Sequence, residues 1–295
     1  MSEAAKVLRN LKAVDFRVLR AIERGMRTYE YVPVERLQSL TKLQPEALAR
    51  HLSFLNKLGL IRTRRLEYVG YTLKTVGYDA LALYTLTNKG VIEALGPKLG
   101  IGKEADIYEA LTPAEERVAV KFHRLGRLSF RQTRRLRSYI GDRGRPSWLY
   151  ESTIAAKREF QALHLLRSKN APVPRPIIHN RHVVVMSLIE GDPLYVCDVL
   201  PDPVKLLKEI LEGIRIAYSN AGIVHADLSE YNIVVTPDIH PLIIDWPQWV
   251  PAGHPEAKNY LKRDVKNILT YFKKRLKVDL SLNEALKTIT ASSTS

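Results

Sequence analysis

An α+β chain in two parts follows from three features of the sequence. Over residues 1–92, short helical segments around a tight break lead into a β-ribbon, the order of a winged helix-turn-helix domain. "GPKLG", near residue 96, is rich in Gly and Pro and reads as a boundary. Beyond it, residues 93–295 begin with apolar strands and finish with helices. This predicts a mixed domain whose first part, over about 93–187, holds the strands, and whose second part, over about 188–295, ends in helices.

Composition narrows what such a chain does. At 295 residues, 45% hydrophobic and 26% charged, it has enough apolar material for two packed domains. Its longest apolar runs, such as "VVVM" and "LIID", are far too short to span a bilayer. "MSEAAKVLRNL" lacks the apolar stretch of a signal peptide. The single cysteine, Cys197, excludes an internal disulfide and a Cys-based zinc cluster. A soluble cytoplasmic protein without membrane contact is the expectation. A formal charge of +15 favours an acidic partner, usually nucleic acid.

In the first part, "VERLQSLT" has the pattern of a short amphipathic helix, and "QPEALARHLSFLNKLGL" that of the next. Pro45 suits the first helical position and Gly59 the stop. Leu48, Leu52 and Leu55 recur at helical spacing and should face inward. "IRTRRLEYVGYTLK" then reads as two strands around a turn at Gly70. Arg50 and Lys57 on the helix, with Arg62, Arg64, Arg65 and Lys74 on the ribbon, supply positive charge. Of these, Arg62, Arg64 and Arg65 are candidates for nucleic-acid contact. The same fold also serves protein contacts alone.

The second part opens on "LGIGKEADIYEA", which carries Gly100, Gly102 and Lys103. A Rossmann loop must open a helix, yet "ADIYEAL" alternates as a strand. A Walker A loop needs Ser or Thr where Glu104 stands. What remains is a glycine-rich hairpin over a nucleotide, where backbone approaches phosphate without a Cβ, or an ordinary hairpin with a flexible tip. "RVAVKFH", after a turn at "TPAEE", carries Lys121 at the end of its apolar run. In protein kinases a lysine so placed touches the α/β-phosphates and pairs with a helix glutamate. "ESTIAAKREFQALHLLRS" offers Glu159, which shares a face with Leu163 and Leu166. A carboxylate on that inward stripe needs a cation. Glu151, in the first turn, reads as a solvated complement to the helix dipole. Met186 and Ile189, where the "VVVM" strand runs out into "SLIEG", are placed with the nucleotide.

Between Lys121 and that helix lies "RLGRLSFRQTRRLRSYIGDRGRP", which includes Arg131, Arg134, Arg135 and Arg137. Phe130 and Tyr139 interleave, and Asp142 is its one acid. Arginine forks with aromatics suit RNA phosphates and unstacked bases better than they suit a solvated charge run. Ser129, in the same segment, is an autophosphorylation candidate.

"PVKLLKEILEGIRIAYSNAGI" is a long amphipathic helix from Pro203 to a stop at Gly222, and "HADLSEYN" follows it. The loop has the His, one residue, Asp, four residues, Asn pattern of kinase catalytic loops. Asp227 would accept or position the proton of an attacking hydroxyl. Asn232 would hold a metal ion, and Asp245, ending "LIID", would hold the metals that bridge phosphates. Two carboxylates and an amide suit Mg²⁺, with Mn²⁺ also compatible. Ser229 is read as a small residue near the γ-phosphate. Near the tail, "RDVKNILTYFKKRL" reads as a final helix with Val265, Ile268, Leu269 and Phe272 inward. Asp264 on its edge either braces the catalytic loop or is exposed.

"GKEADIY", "VKFH", "IVHADLSEYNIVV" and "IIDWPQ" resemble the motifs of the RIO family of atypical serine/threonine protein kinases. "YEYVPVERL" and the winged-helix segment resemble the N-terminal domain of its RIO2 branch, in an archaeal-like form. The resemblance implies a truncated bilobal protein-kinase-like domain that uses Mg-ATP as a serine kinase or ATPase. It also implies autophosphorylation and association with the pre-small ribosomal subunit and its RNA. Trp246 and Pro247 stand where ordinary protein kinases have Phe-Gly, no "APE" appears, and about fifty residues follow Asp245. The helical subdomain that docks peptides is therefore expected to be missing. A dedicated partner, autophosphorylation or ATP hydrolysis as a switch is favoured over broad action in trans. Two other readings stay open. Small-molecule phosphotransferases of the aminoglycoside or choline kinase type share the catalytic loop and the "IDW" strand end. A winged-helix RNA- or DNA-binding assembly factor could use its kinase domain only to sense ATP.

Overall fold

The computed structural model describes residues 2–101, 104–125, 148–197 and 199–291. Packing divides the chain into two units, residues 1–102 with 106–116, and residues 103–105 with 117–295.

In the first unit, helices Glu3–Leu8, Ala13–Gly25, Val34–Thr41, Pro45–Lys57 and Thr75–Asn88 accompany a three-stranded antiparallel sheet. Strand Val69–Leu73 lies between Val32–Pro33 and Ile61–Arg65. Pro45 opens its helix, and Gly59, at φ +72°, makes the left-handed reversal into the ribbon. Leu48, Leu52 and Leu55 are buried, as are Phe16, Leu19 and Ile22 on the helix packed against them. The turn of the ribbon falls at 66–68, not at Gly70. Gly70 sits inside the second strand opposite Arg64 and Pro33, and a Cβ there would stand 2.7 Å from the Cβ of Tyr31. This glycine serves a close approach, which strand glycines do as often as turns. Helix Thr75–Asn88 buries Ala80, Leu81, Ala82, Leu83 and Leu86. Burial on several sides leaves no single stripe, which is why a 3.6-residue pattern does not announce it. "GPKLG" is not a break in regular structure. It lies within strand Ala94–Ile101, which pairs antiparallel with Ala105–Leu111. Register shifts at Leu95/Lys98 and Lys98/Gly100 absorb Pro97 as an irregularity.

In the second unit, Val183–Ser187 pairs antiparallel with both Arg117–His123 and Pro176–Asn180. Val118, Val120, Phe122, Val183, Val184 and Val185 are all buried, which explains why these strands read as continuous apolar runs. Helix Trp148–Arg167 packs on this sheet. Helix Pro203–Arg215 continues as a π-helical turn, Ile216–Asn220, and the chain reverses at Gly222, φ +68°. Strands Asp192–Pro193, Ile233–Val235 and Pro241–Ile243 form one small sheet, and Ile223–Val224 with Val250–Pro251 another. Helix Ala257–Arg275 buries Val265, Ile268, Leu269 and Phe272. It is not the last helix: Leu282–Thr290 follows, opened by a capping box between Ser281 and Glu284. Glu151 is 4% exposed, so it is a buried carboxylate and not the solvated one its place in the first turn suggested. Among the described residues, no helix is long and apolar enough to cross a membrane.

Candidate active site

Strand Pro241–Ile243 leads through Ile244 to Asp245. The Ile244 amide donates to the Asn232 carbonyl at 2.9 Å, which ties this strand end to the "HADLSEYN" loop. Asp245 itself has φ +67°, a left-handed conformation that costs a non-glycine residue about 1–3 kcal/mol. The buried indole of Trp246 anchors the turn by donating to the Ile243 carbonyl at 3.1 Å. The Asp245 side chain is left 45% exposed.

The loop is held from below by helix Ala257–Arg275. Ala226 has φ +63°, and its amide donates to Asp264 Oδ2 at 2.7 Å. Arg263 donates to the Ala226 carbonyl and to Asp264 Oδ1, and Asn267 donates to the Leu228 carbonyl at 3.0 Å. Asp264 is 1% exposed, which decides between the two expectations for it: it braces the loop. Burial pushes its pKa up to about 6, against the pull of Arg263 and the Ala226 and Leu228 amides. His225 belongs to this brace. Its Nε2 donates to the Ile244 carbonyl at 3.0 Å and its ring packs on Trp246, while burial lowers its pKa and keeps it neutral. Asp227 is exposed at the top of the brace. Asn232 Nδ2 donates to the Asp227 carbonyl at 2.8 Å, which fixes the amide so that its oxygen is the remaining donor atom.

Lys121 joins the helix carboxylate of Glu159 to the carboxylate of Asp245. Its ammonium lies 2.7 Å from Glu159 Oε1 and 2.6 Å from Asp245 Oδ1. The second Glu159 oxygen, Oε2, is 2.7 Å from His123 Nε2. Burial opposes the charge on Lys121, but Asp245 and Glu159 outweigh it and hold the pKa above its usual value. Burial likewise works to raise Glu159, and Lys121 with His123 overcomes it and holds the carboxyl well below its usual range. The other Asp245 oxygen and the Asn232 amide oxygen are the hard donors that Mg²⁺ takes. The donor set therefore fits that ion.

The structure thus brings Lys121, Glu159, Asp245, Asn232 and Asp227 into one region. Met186 is buried opposite Ala119, and Ile189 and Ser229 are half-buried. The Ser229 carbonyl accepts from the Asn232 amide at 3.0 Å. Gly100 lies opposite Ile107 on its strand, and a Cβ there would meet nothing within 4 Å. Gly102, Lys103, Ser129, Arg131, Arg134, Arg135 and Arg137 lie outside the described residues. On the ribbon, Arg62, Arg64 and Arg65 are solvent-facing, with Arg64 5.1 Å from the Tyr31 ring centre and 3.6 Å from Glu30. Sequence reasoning missed Glu104. Burial, then the charges of Asp245 and Asp227, push its carboxyl up to about 7. It missed His123 as the second partner of Glu159. The signal was there, since His123 lies two residues from Lys121 on the same strand and so on the same face.

A family model described as the RIO domain matches residues 106–285, and one described as Rio2, N-terminal, matches residues 8–89. The chain belongs to the Rio2 branch of the RIO kinases. It is 37% identical over 271 residues to the serine/threonine-protein kinase rio2 of Schizosaccharomyces pombe, which covers 91% of this chain and 78% of that one. It is 40% identical over 254 residues to the RIO-type serine/threonine-protein kinase Rio2 of Methanocaldococcus jannaschii, covering 84% of this chain and 92% of that one. A crystal structure of the Rio2 kinase from Chaetomium thermophilum in an ADP/Mg²⁺-phosphoaspartate complex superposes with a TM-score of 0.85. It is 32% identical and covers 98% of this chain and 90% of that one. This Rio2-branch chain is accordingly a serine/threonine-protein kinase, with a Rio2 N-terminal domain ahead of its kinase domain.

Proposed function

We propose that the chain moves the γ-phosphoryl group of Mg-ATP to a serine, one of its own among the acceptors, and that hydrolysis of ATP is the competing outcome. The observation that carries this is the Lys121 ammonium held within 2.7 Å of both Glu159 and Asp245 beside the braced Asp227 loop. Lys121 binds the α/β-phosphates, and Glu159 fixes its position. Asp245 and Asn232 hold Mg²⁺, or Mn²⁺ in its place. The metal, when bound, neutralises charge on the phosphates. Asp227 orients the acceptor hydroxyl and takes its proton. The catalytic contribution is positioning more than covalent chemistry. The phosphoaspartate in the Chaetomium thermophilum complex supports the ATPase arm, because an acyl phosphate is a group that water removes.

The partner we infer is the RNA of the pre-small ribosomal subunit, met in the cytoplasm. The charge of +15 and the solvent-facing Arg62, Arg64 and Arg65 support an RNA surface, and the ribosomal assignment rests on the RIO2 resemblance. A paired experiment tests the whole reading: transfer of labelled γ-phosphate to protein, beside recovery of small-subunit RNA with the tagged chain from cell extract. Transfer to a small alcohol or sugar instead of protein would favour the small-molecule phosphotransferase.

A further inference from the structure

We propose that Arg158, with Trp249, is a positioning residue for phosphoryl transfer. It clamps the helix that carries Glu159 onto the segment that follows Asp245. This rests on the function proposed above. Arg158 precedes Glu159 on helix Trp148–Arg167, so the two side chains leave the helix about 100° apart. Glu159 turns to Lys121 and His123. Arg158 instead reaches the chain just past Asp245, donating from Nε to the Pro247 carbonyl at 2.9 Å and from Nη2 to the Trp249 carbonyl. Its guanidinium lies 4.8 Å from the Trp249 ring centre. The Trp249 indole closes the loop, donating back to the Arg158 carbonyl at 3.0 Å.

Three hydrogen bonds and a stacked cation thus join two segments whose neighbouring residues both bind Lys121. The planar fork matters here, because two carbonyls are addressed at once and a lysine would reach one. Sliding the helix away from the sheet would pull Glu159 off Lys121. The clamp makes that motion break bonds at Pro247 and Trp249 as well. Arg158 touches no reacting atom; it acts through Glu159 and Asp245.

The test uses the full chain and three variants: Arg158→Met, Arg158→Lys and Trp249→Phe. Hydrogen exchange, which needs no activity, is read first. Arg158→Met should speed exchange in 150–165 and 246–250 together, while 257–275 stays as in wild type. Faster exchange everywhere, or none in either segment, overturns the clamp. In γ-phosphoryl transfer, Arg158→Met should cost about tenfold in kcat, the size of effect expected when hydrogen bonds to a charged group are removed. Its effect should shrink to under about twofold in a Glu159→Gln background, because the pair it positions is already broken. Arg158→Lys and Trp249→Phe should fall between wild type and Arg158→Met. An equal fold-loss in both backgrounds would mean a general stabilising role and sink the proposal. A wild-type chain with no transfer would refute the function instead, and the exchange data would still decide the clamp. If Arg158→Met fails to fold, Trp249→Phe, which keeps the stacked ring, carries both readouts.

Discussion

Replacing Lys121 by Met removes the cation from a glutamate that is 1% exposed. Breaking a buried ion pair by deleting one partner costs about 3–5 kcal/mol, because the remaining charge stays out of water. The loss should depend on pH, and the sign is fixed by Glu159. In the wild type its folded pKa is held below the unfolded value, so its contribution is present above about pH 4.3 and steady between about pH 5.5 and 8. With Lys121 gone, only the His123 contact still opposes burial, and burial, the largest influence on this carboxyl, pushes Glu159 upward. The variant is then penalised most at about pH 8, and the penalty fades as pH falls and the carboxyl takes a proton. Urea unfolding followed by tryptophan fluorescence reads this cleanly, since Trp148, Trp246 and Trp249 all belong to the second unit. Adding Glu159→Gln to Lys121→Met should recover most of the loss at that pH, as no buried charge then remains. A loss under about 1 kcal/mol at about pH 8, or no recovery in the double variant, would show that Glu159 is not left as an uncompensated buried charge.

Asp245→Ala should weaken Mg-ATP binding more than Asp227→Ala does, because a metal ligand acts on the ground state as well as the transition state; calorimetric titration with and without Mg²⁺ checks this. Asp264, with a folded pKa raised to about 6, contributes stability fully below about pH 4 and loses it as pH rises through 6. Asp264→Asn should remove that slope from the fluorescence-detected unfolding curve. Replacing Arg62, Arg64 and Arg65 by Gln should flatten the dependence of RNA affinity on salt, by roughly 0.7 in log–log slope for each single-strand phosphate that is no longer neutralised. An unchanged slope in filter binding would take the RNA surface off the ribbon.

The arrangement of the candidate loop was legible because it is contiguous: Asp227 and Asn232 lie five residues apart, and Asp245 follows a short apolar strand. The Lys121–Glu159 pair spans 38 residues, yet it could be reached because an acid on an apolar stripe demands a cation. Pairings without such a demand were not legible. Glu104 looks like a loop residue, and nothing in its sequence context announces the burial and nearby negative charge that push its carboxyl up to about 7. Arg158 and Trp249 lie 91 residues apart, and each alone reads as an ordinary surface or core residue. Gly70 misled because glycine marks a turn and a close backbone approach alike, and only the register beside Tyr31 tells them apart. Glu151 misled because a first-turn acid is usually solvated, and here the helix start is packed.

Whether the Asp227 loop performs phosphoryl transfer is decided by single-turnover transfer of labelled γ-phosphate with Mg²⁺, comparing wild type with Asp227→Ala at matched nucleotide saturation. The variant should bind ATP nearly as well and unfold at nearly the same denaturant concentration, while transfer falls by about 10²–10⁴-fold. Transfer within a few-fold of wild type would remove Asp227 from the chemistry, and the proton acceptor would have to be sought elsewhere in the site.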